Sequence, residues 1–381
     1  MLKNIIRKHK HDAQGILLRQ YPDFVLKNST CGTETPPVFV FHEVTEDYLE
    51  PLLHYLSLNG YSSLNAEDLF QRLHHGNKPK QNEVALTFDD GDQSLYSVAY
   101  PLLKKYGLTG ISFIIPGWIG RAVTIGNSTR SHHSYCTWAE IQEMHASRVI
   151  DFQAHSMNHC SIFISPKIQT FVSPQTDFSH YVIECLSISE NGQNYIFPQD
   201  LKLGTPIYES AFRLQNFPKY YDSQELRHSC MAYVAERGGV DFFKRKTWKK
   251  QLLNHAETLS KNKDQIHKFE STEETEDAIR IEFRNTKRII EAKLKGKIIR
   301  HFCFPNFAGS PLAIKIAKEE GYVTNFWGGF LPAYVKSDAM PIAITRLNSA
   351  YIYRLPGKGR SPLHRVLYQK YGGAITNRFL R

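Results

Sequence analysis

Two adjacent aspartates, Asp89 and Asp90, close the apolar run "EVALTF" and stand directly before Gly91. Alone, Asp-Asp-Gly is a turn former. Three other places in the chain make chemistry the better reading. His155 and His159 stand four residues apart in "HSMNH", His42 ends the apolar run "PVFVF", and "HFCFPN" ends a third apolar run in a loop. Two imidazoles and one carboxylate suit Zn²⁺ or a similar divalent ion and leave positions for water and substrate. Such an ion lowers the pKa of its bound water to about 7, which supplies a nucleophile at neutral pH. The second carboxylate is then free to act as base, because like charges raise one another's pKa unless a cation absorbs one of them. Each group also has a bland reading: a turn, a buried histidine satisfied by hydrogen bonds, a surface histidine, a capped strand end. Convergence of the groups on one rim is what decides.

The elements that must carry these groups alternate between strand and helix. "PVFVFHEV" reads as a strand, and Leu49, Leu52, Leu53 and Leu56 then share one helical face, with Gly60 at the C-terminal cap position. Val84, Leu86 and Phe88 mark the strand that ends at the aspartates. Leu95, Val98, Leu102, Leu103 and Tyr106 give the next helix, closed by Gly107 and bearing Pro101 as a kink. "GISFII" is a strand, residues 138–144 a helix, and "VIDFQAH" a strand delivering His155. "KIIRHFCF" is a strand, Ser310 and Pro311 open a helix, and "YVTNFW" is a late strand ending at Trp327. This order implies parallel pairing with right-handed crossovers, as in a barrel or a doubly wound sheet. Ligands of such folds bind at the C-terminal ends of the strands, where all the candidate groups fall.

The totals bound the rest. A chain of 381 residues with 41% hydrophobic and 22% charged residues is an ordinary globular protein with room for one large α/β domain and an insertion. No run of about twenty apolar residues occurs, and the basic start "MLKNIIRKHK" lacks the apolar core of an export signal. A cytoplasmic location, peripheral to the inner face of the membrane, is therefore expected. The six cysteines contain no CxxC pair, which fits free thiols better than a disulfide framework or a structural zinc site. Net charge is +10, and residues 348–381 hold Arg354, Lys358, Arg360, Arg365, Lys370, Arg378 and Arg381 with no acidic residue. That basic tail is either a solvated, partly ordered terminus or a surface for an anionic partner such as a membrane or a lipid-linked phosphate. Nucleic acid is not expected, since no recognition motif accompanies the charge. Residues 161–277 show no strand–helix rhythm and read as an insertion, either a lid or substrate wall or a peripheral subdomain that only packs, with "FFKRKTWKKQLL" in a helical second half.

"TFDDG" followed by "HSMNH" resembles the first two motifs of the polysaccharide deacetylases, the carbohydrate esterases with a NodB-type domain. The resemblance implies a distorted (β/α)7 barrel over residues 36–160 and 278–347, preceded by a 35-residue extension. It also implies metal-dependent removal of N-acetyl groups from amino sugars, with Zn (or Co or Ni) held by Asp90, His155 and His159 and with Asp89 as base. The substrate would be an N-acetylated glycan or a lipid-linked sugar.

Two departures from the family pattern matter. The third motif usually carries an arginine two residues before its proline, but Cys303 holds that place before Pro305, leaving no arginine to orient the base. "HFCFPN" resembles the arginine-lacking poly-N-acetylglucosamine deacetylase branch, in which the Asn306 N–H would take the oxyanion position. The general acid is assigned to His42, which ends a strand, ahead of His364 in "PLHRV". Trp327 could form an apolar wall for the acetyl methyl group. Two rival readings follow from the departures: a glycan-binding member without turnover, or a deformylase of a lipid-linked amino sugar.

Overall fold

The computed structural model describes residues 15–27, 35–75, 82–124, 132–181, 183–189, 194–261, 267–335 and 340–370. Its centre is the run "EVALTFDD", which forms strand β2 (Glu83–Asp90) and is buried from Glu83 through Asp89. A strand covered on both faces belongs in the middle of a parallel sheet. β1 (Val38–Phe41) and β3 (Gly110–Ile114) flank it, and β4 (Ile150–Ala154), β5 (His301–Cys303), β6 (Thr324–Phe326) and β7 (Ile342–Ile344) follow beyond β3. On the far side of β1 lies β8 (Leu347–Asn348). Every pairing along this path is parallel.

The two edges of the sheet, β7 and β8, are separated in sequence only by Thr345 and Arg346. Three peptide steps reach at most about 11 Å, so the sheet must curl until its edges nearly meet. Counted as one split strand, β7 and β8 complete a distorted seven-stranded (β/α) barrel. Helices cover its outside. α1 (Glu46–Leu58) buries Leu49, Leu52, Leu53, Tyr55 and Leu56, and Gly60 closes it at φ 67°. α2 (Ala66–His74) and α3 (Tyr100–Lys105) follow, with Pro101 harmless in the first turn of α3 behind a single π-helical turn. α4 (Trp138–Ala146) starts with a capping box on Thr137 and Glu140, and α6 (Pro311–Glu319) is capped by Ser310.

The expected insertion contains a long antiparallel hairpin, Ser161–Phe171 with Pro206–Phe212, and the helices Gln224–Glu236 and Trp248–Lys261. These elements bury two apolar clusters of their own. The boundary read at residue 278 falls inside a continuous 22-residue helix, α5 (Thr272–Lys293), which is capped at Ser271. The segment that leaves the barrel therefore returns as one rigid rod.

Both ends of the chain take part in the packing. Among residues 1–35, Tyr21, Phe24 and Val25 are buried in the main core. The tail is not uniformly a free basic surface. The buried Arg354 donates to the carbonyls of Val25, Lys27 and Ser361, and Arg360 donates to those of Phe24 and Lys27. Guanidinium groups engaged with carbonyls cannot also serve a lipid surface, and Arg378 and Arg381 lie outside the described residues.

Candidate active site

β2 delivers two consecutive carboxylates that meet different partners. Asp89 points into the barrel, where Arg346 grips it bidentately: Nη1 donates to Oδ1 at 2.6 Å and Nη2 to Oδ2 at 2.7 Å. The guanidinium also donates to Thr87 Oγ1 and the Trp327 carbonyl. Burial is the largest influence on Asp89 and opposes ionisation, but the Arg346 charge and hydrogen bonds, with the charges of His155 and His42, together outweigh it and hold the carboxyl below its ordinary value. The expectation that no arginine reaches this aspartate is thus corrected. Arg346 enters from the seam between β7 and β8, and Cys303, at the motif's arginine place, sets its thiol 3.9 Å from Asp89 Oδ2. A sequence signal existed: Arg346 interrupts the run "PIAITRLNSAYI" as its only charge.

Asp90 faces the other way. Its backbone is left-handed (φ 70°), as is that of Gly91 (φ 77°), and this breaks the strand so that neighbours in sequence meet different groups. Its Oδ1 lies 3.4 Å from His155 Nε2. Burial, the largest single influence, again opposes ionisation, and the hydrogen bond and charge of His155 with the charges of His159 and His42 together more than offset it, so the Asp90 carboxyl is held low. His155 Nδ1 is fixed by the Cys303 carbonyl at 2.8 Å, which leaves Nε2 for a ligand.

His159 completes the group. The donor atoms of Asp90, His155 and His159 lie within 4.8 Å of one another, a spacing and chemistry that suit one divalent ion. A second cluster, Asp89 with His155 and Cys303, is equally close but fits poorly. Both Asp89 oxygens are held by Arg346, and burial keeps the Cys303 thiol protonated.

Four contacts shape the turn that carries His159. Its own N–H donates to Ser156 Oγ, Gly117 N–H to the Met157 carbonyl, Trp118 Nε1–H to the Asn158 carbonyl, and Met157 N–H to Glu282 Oε2 on α5 at 2.8 Å. Gly117 is required by the close approach, since a Cβ there would sit 2.8 Å from the Met157 carbonyl oxygen. Left-handed backbone recurs at Ser156, His159, Asn306 and Phe307; strained residues of this kind gather at functional loops.

The other candidates divide. His42 lies at the rim with Nε2 3.7 Å from Asp89 Oδ2 and a side chain 58% exposed, open to a substrate. His364 is exposed within helical residues 363–370 and makes no contact with the site among the described residues. Pro305 is buried and Asn306 exposed, in the loop that follows β5. Trp327, read as an apolar wall for the acetyl methyl group or as plain core, is wholly buried and stacked on Phe304, with centroids 4.3 Å apart. The exposed aromatic there is Phe307, which the sequence reading passed over and which lies under the Arg346 guanidinium at 5.5 Å. Beside the His159 turn, a cavity of about 670 Å³ separates barrel from insertion and is lined by Arg121, Asn158, Tyr195, Phe197 and Lys202 among others.

A curled parallel sheet presenting a divided carboxylate pair and two histidines at its strand ends defines a (β/α)-barrel protein with a metal-competent rim. Residues 76–179 match the polysaccharide deacetylase family. YxkH of Bacillus subtilis, a protein assigned to the polysaccharide deacetylases only provisionally, is 29% identical over 141 residues, 34% of this chain and 46% of that one. The poly-β-1,6-N-acetyl-D-glucosamine N-deacetylase of Escherichia coli K12 is 27% identical over 123 residues, 31% of this chain and 18% of that protein. The match thus spans less than half the length of these curated relatives. The solved structure of IcaB from Ammonifex degensii is 16% identical and aligns over 87% of this chain and 99% of that one with a TM-score of 0.47. Among the described residues no helix is long and apolar enough to cross a membrane.

Proposed function

We propose that this protein is a metal-dependent hydrolase that removes N-acetyl groups from an amino sugar in a glycan. The observation that carries the reading is the division of labour at the end of β2: Asp89 is held ionised by Arg346 while Asp90 faces two histidines. A purely structural turn needs neither the buried guanidinium nor the histidine pair, and a binding module needs no base.

Asp90, His155 and His159 would hold the ion, for which Zn²⁺ suits the donors best and Co²⁺ or Ni²⁺ are acceptable. When bound, the ion would polarise the acetyl carbonyl and acidify water. Asp89, ionised at neutral pH, takes a proton from the attacking water. His42, at the open rim, returns a proton to the departing amine nitrogen. The backbone N–H of Asn306 is the donor assigned to the oxyanion, and Phe307 rather than Trp327 offers the apolar surface. The relatives named above make poly-N-acetylglucosamine the first substrate to try; the cavity beside the His159 turn, with aromatic and polar walls, suits neighbouring sugar residues.

The test is acetate release from N-acetylglucosamine oligomers and from lipid-linked N-acetyl sugars, comparing wild type with Asp89→Asn at matched metal content. Release that collapses by 100-fold or more in the variant, the range for loss of a general base, would support the reading. Turnover of formylated but not acetylated sugars would replace it with a deformylase.

A further inference from the structure

The expected insertion supplies one group to the metal site. Glu184 Oε2 lies 2.6 Å from His159 Nδ1. The contact runs between two parts of the molecule that the sequence gives no reason to join. His159 ends the second motif, while Glu184 lies 25 residues on, past the first strand of the hairpin.

The approach is built into the backbone. Ser161, two residues after His159, donates its N–H to the Cys185 carbonyl and accepts from Ser187 N–H, and Leu186 exchanges hydrogen bonds with Ile196. The side chains on both sides of Glu184's neighbour form one buried cluster: Cys185 packs with Cys160, Trp118, Tyr135 and Phe197. Glu184 is thereby held beside the ring although its own side chain is 31% exposed.

His159 Nδ1 is buried and has no well-aligned hydrogen bond, because the Glu184 oxygen sits off the line of the N–H. A neutral imidazole that gives Nε2 to a metal keeps its proton on Nδ1, and a buried unsatisfied N–H is costly. A small rotation of the half-exposed carboxylate completes that bond. The Glu184 charge also reaches the same space as Asp90, since both act on the Tyr135 hydroxyl, which burial first and those two charges next push up.

We propose that Glu184 is a positioning residue of the metal centre: it accepts the His159 Nδ1 proton, aims Nε2 at the ion and raises its basicity. The inference rests on the metal-site reading above. It makes the segment after the hairpin's first strand part of the site rather than a peripheral wall.

The test is Zn²⁺ affinity of the full chain by chelator competition, for wild type, Glu184→Ala, Glu184→Gln and the exposed insertion carboxylate variant Asp200→Ala. Partners of this kind typically set metal affinity by 10- to 100-fold. Glu184→Ala should weaken zinc binding by about that factor, with the melting temperature of the metal-free protein unchanged. Glu184→Gln, which keeps an acceptor, should recover much of the loss, and Asp200→Ala should match wild type. Tight wild-type binding left within twofold by Glu184→Ala would overturn the role of Glu184 and leave the metal site standing. Equal losses in Glu184→Ala and Asp200→Ala would overturn it too, reducing the effect to general charge. Absence of zinc binding in wild type would overturn the metal reading and this inference with it.

Discussion

The two halves of the candidate site are built in opposite ways. On the base side, Asp89 and Arg346 are both fully buried and belong to the sheet itself, one on the central strand and one at the seam where the edges meet. On the ligand side, Asp90 closes β2 on left-handed backbone, and the histidine turn, left-handed at Ser156 and His159, is held by groups from Gly117, Trp118, Glu184 and Glu282. The base depends on one desolvated charge pair. The ligand set depends on many modest contacts, each made by a different segment.

This difference orders the consequences of mutation. Arg346→Met should cause the largest loss. It leaves a carboxylate buried without its partner, a change that typically costs about 3–5 kcal/mol, readable by urea unfolding at pH 7. The sign with pH follows from the depressed carboxyl. The pair stabilises above the unfolded aspartate value, about 3.9, and that contribution fades as pH falls through the folded value, so the wild-type advantage should shrink on the acid side. In the variant, burial loses its main opponent and only the weaker charges of His155 and His42 remain, so the acid limb of kcat/KM should move to higher pH. An unmoved limb would detach Asp89 from the base role.

His42→Ala comes next and separates chemistry from structure. The side chain is more than half exposed, so stability should stay within about 0.5 kcal/mol while kcat falls about 100-fold, the low end for a lost proton donor. His364→Ala should change neither. A reversed pattern would move the acid to the C-terminal helix.

Gly117→Ala probes the ligand side. The added methyl group meets the Met157 carbonyl and the Asn158 amide, and overpacking of this kind costs about 1–3 kcal/mol. Because the displaced backbone carries His159, zinc affinity should fall along with stability. Loss of stability with full zinc affinity would show that the turn tolerates movement and that the ligand half is less dependent on its neighbours than its contacts suggest.

How far the site could be read from sequence follows the same division. Asp89, Asp90, His155 and His42 stand at the ends of apolar runs, and such runs announce themselves as strands, so the parallel strand–helix alternation and the rim were legible. Arg346 was not, because its partner lies 257 residues away and only closure of the barrel brings β7 and β8 together. Glu184 was hidden for a related reason: nothing periodic in the insertion fixes where its backbone runs. Trp327 and Arg354 show the converse. A tryptophan after a strand and an arginine in a basic tail look exposed, yet stacking on Phe304 buries the first and three backbone carbonyls take up the donors of the second. Residue type suggested a surface role, and long-range packing decided otherwise.

The smallest expected effect belongs to Glu282→Gln, and it asks whether the ligand side needs charge at all. Glu282 is buried, and burial raises its carboxyl above the ordinary value despite the Met157 N–H and the more distant Arg213. A raised folded value means that its contribution is fully present below the unfolded value, about 4.3, and is lost as pH rises through the folded value. Glutamine keeps an acceptor for Met157 N–H and removes the ionisation. Stability at pH 7 should therefore stay within about 1 kcal/mol of wild type, the net worth of one hydrogen bond, and its decline between pH 4 and 7 should flatten. A loss of 2 kcal/mol or more at pH 7 would mean that the negative charge itself anchors the His159 turn. The ligand half would then rest on a buried charge, as the base half does on Arg346 and Asp89, and the contrast between them would fail.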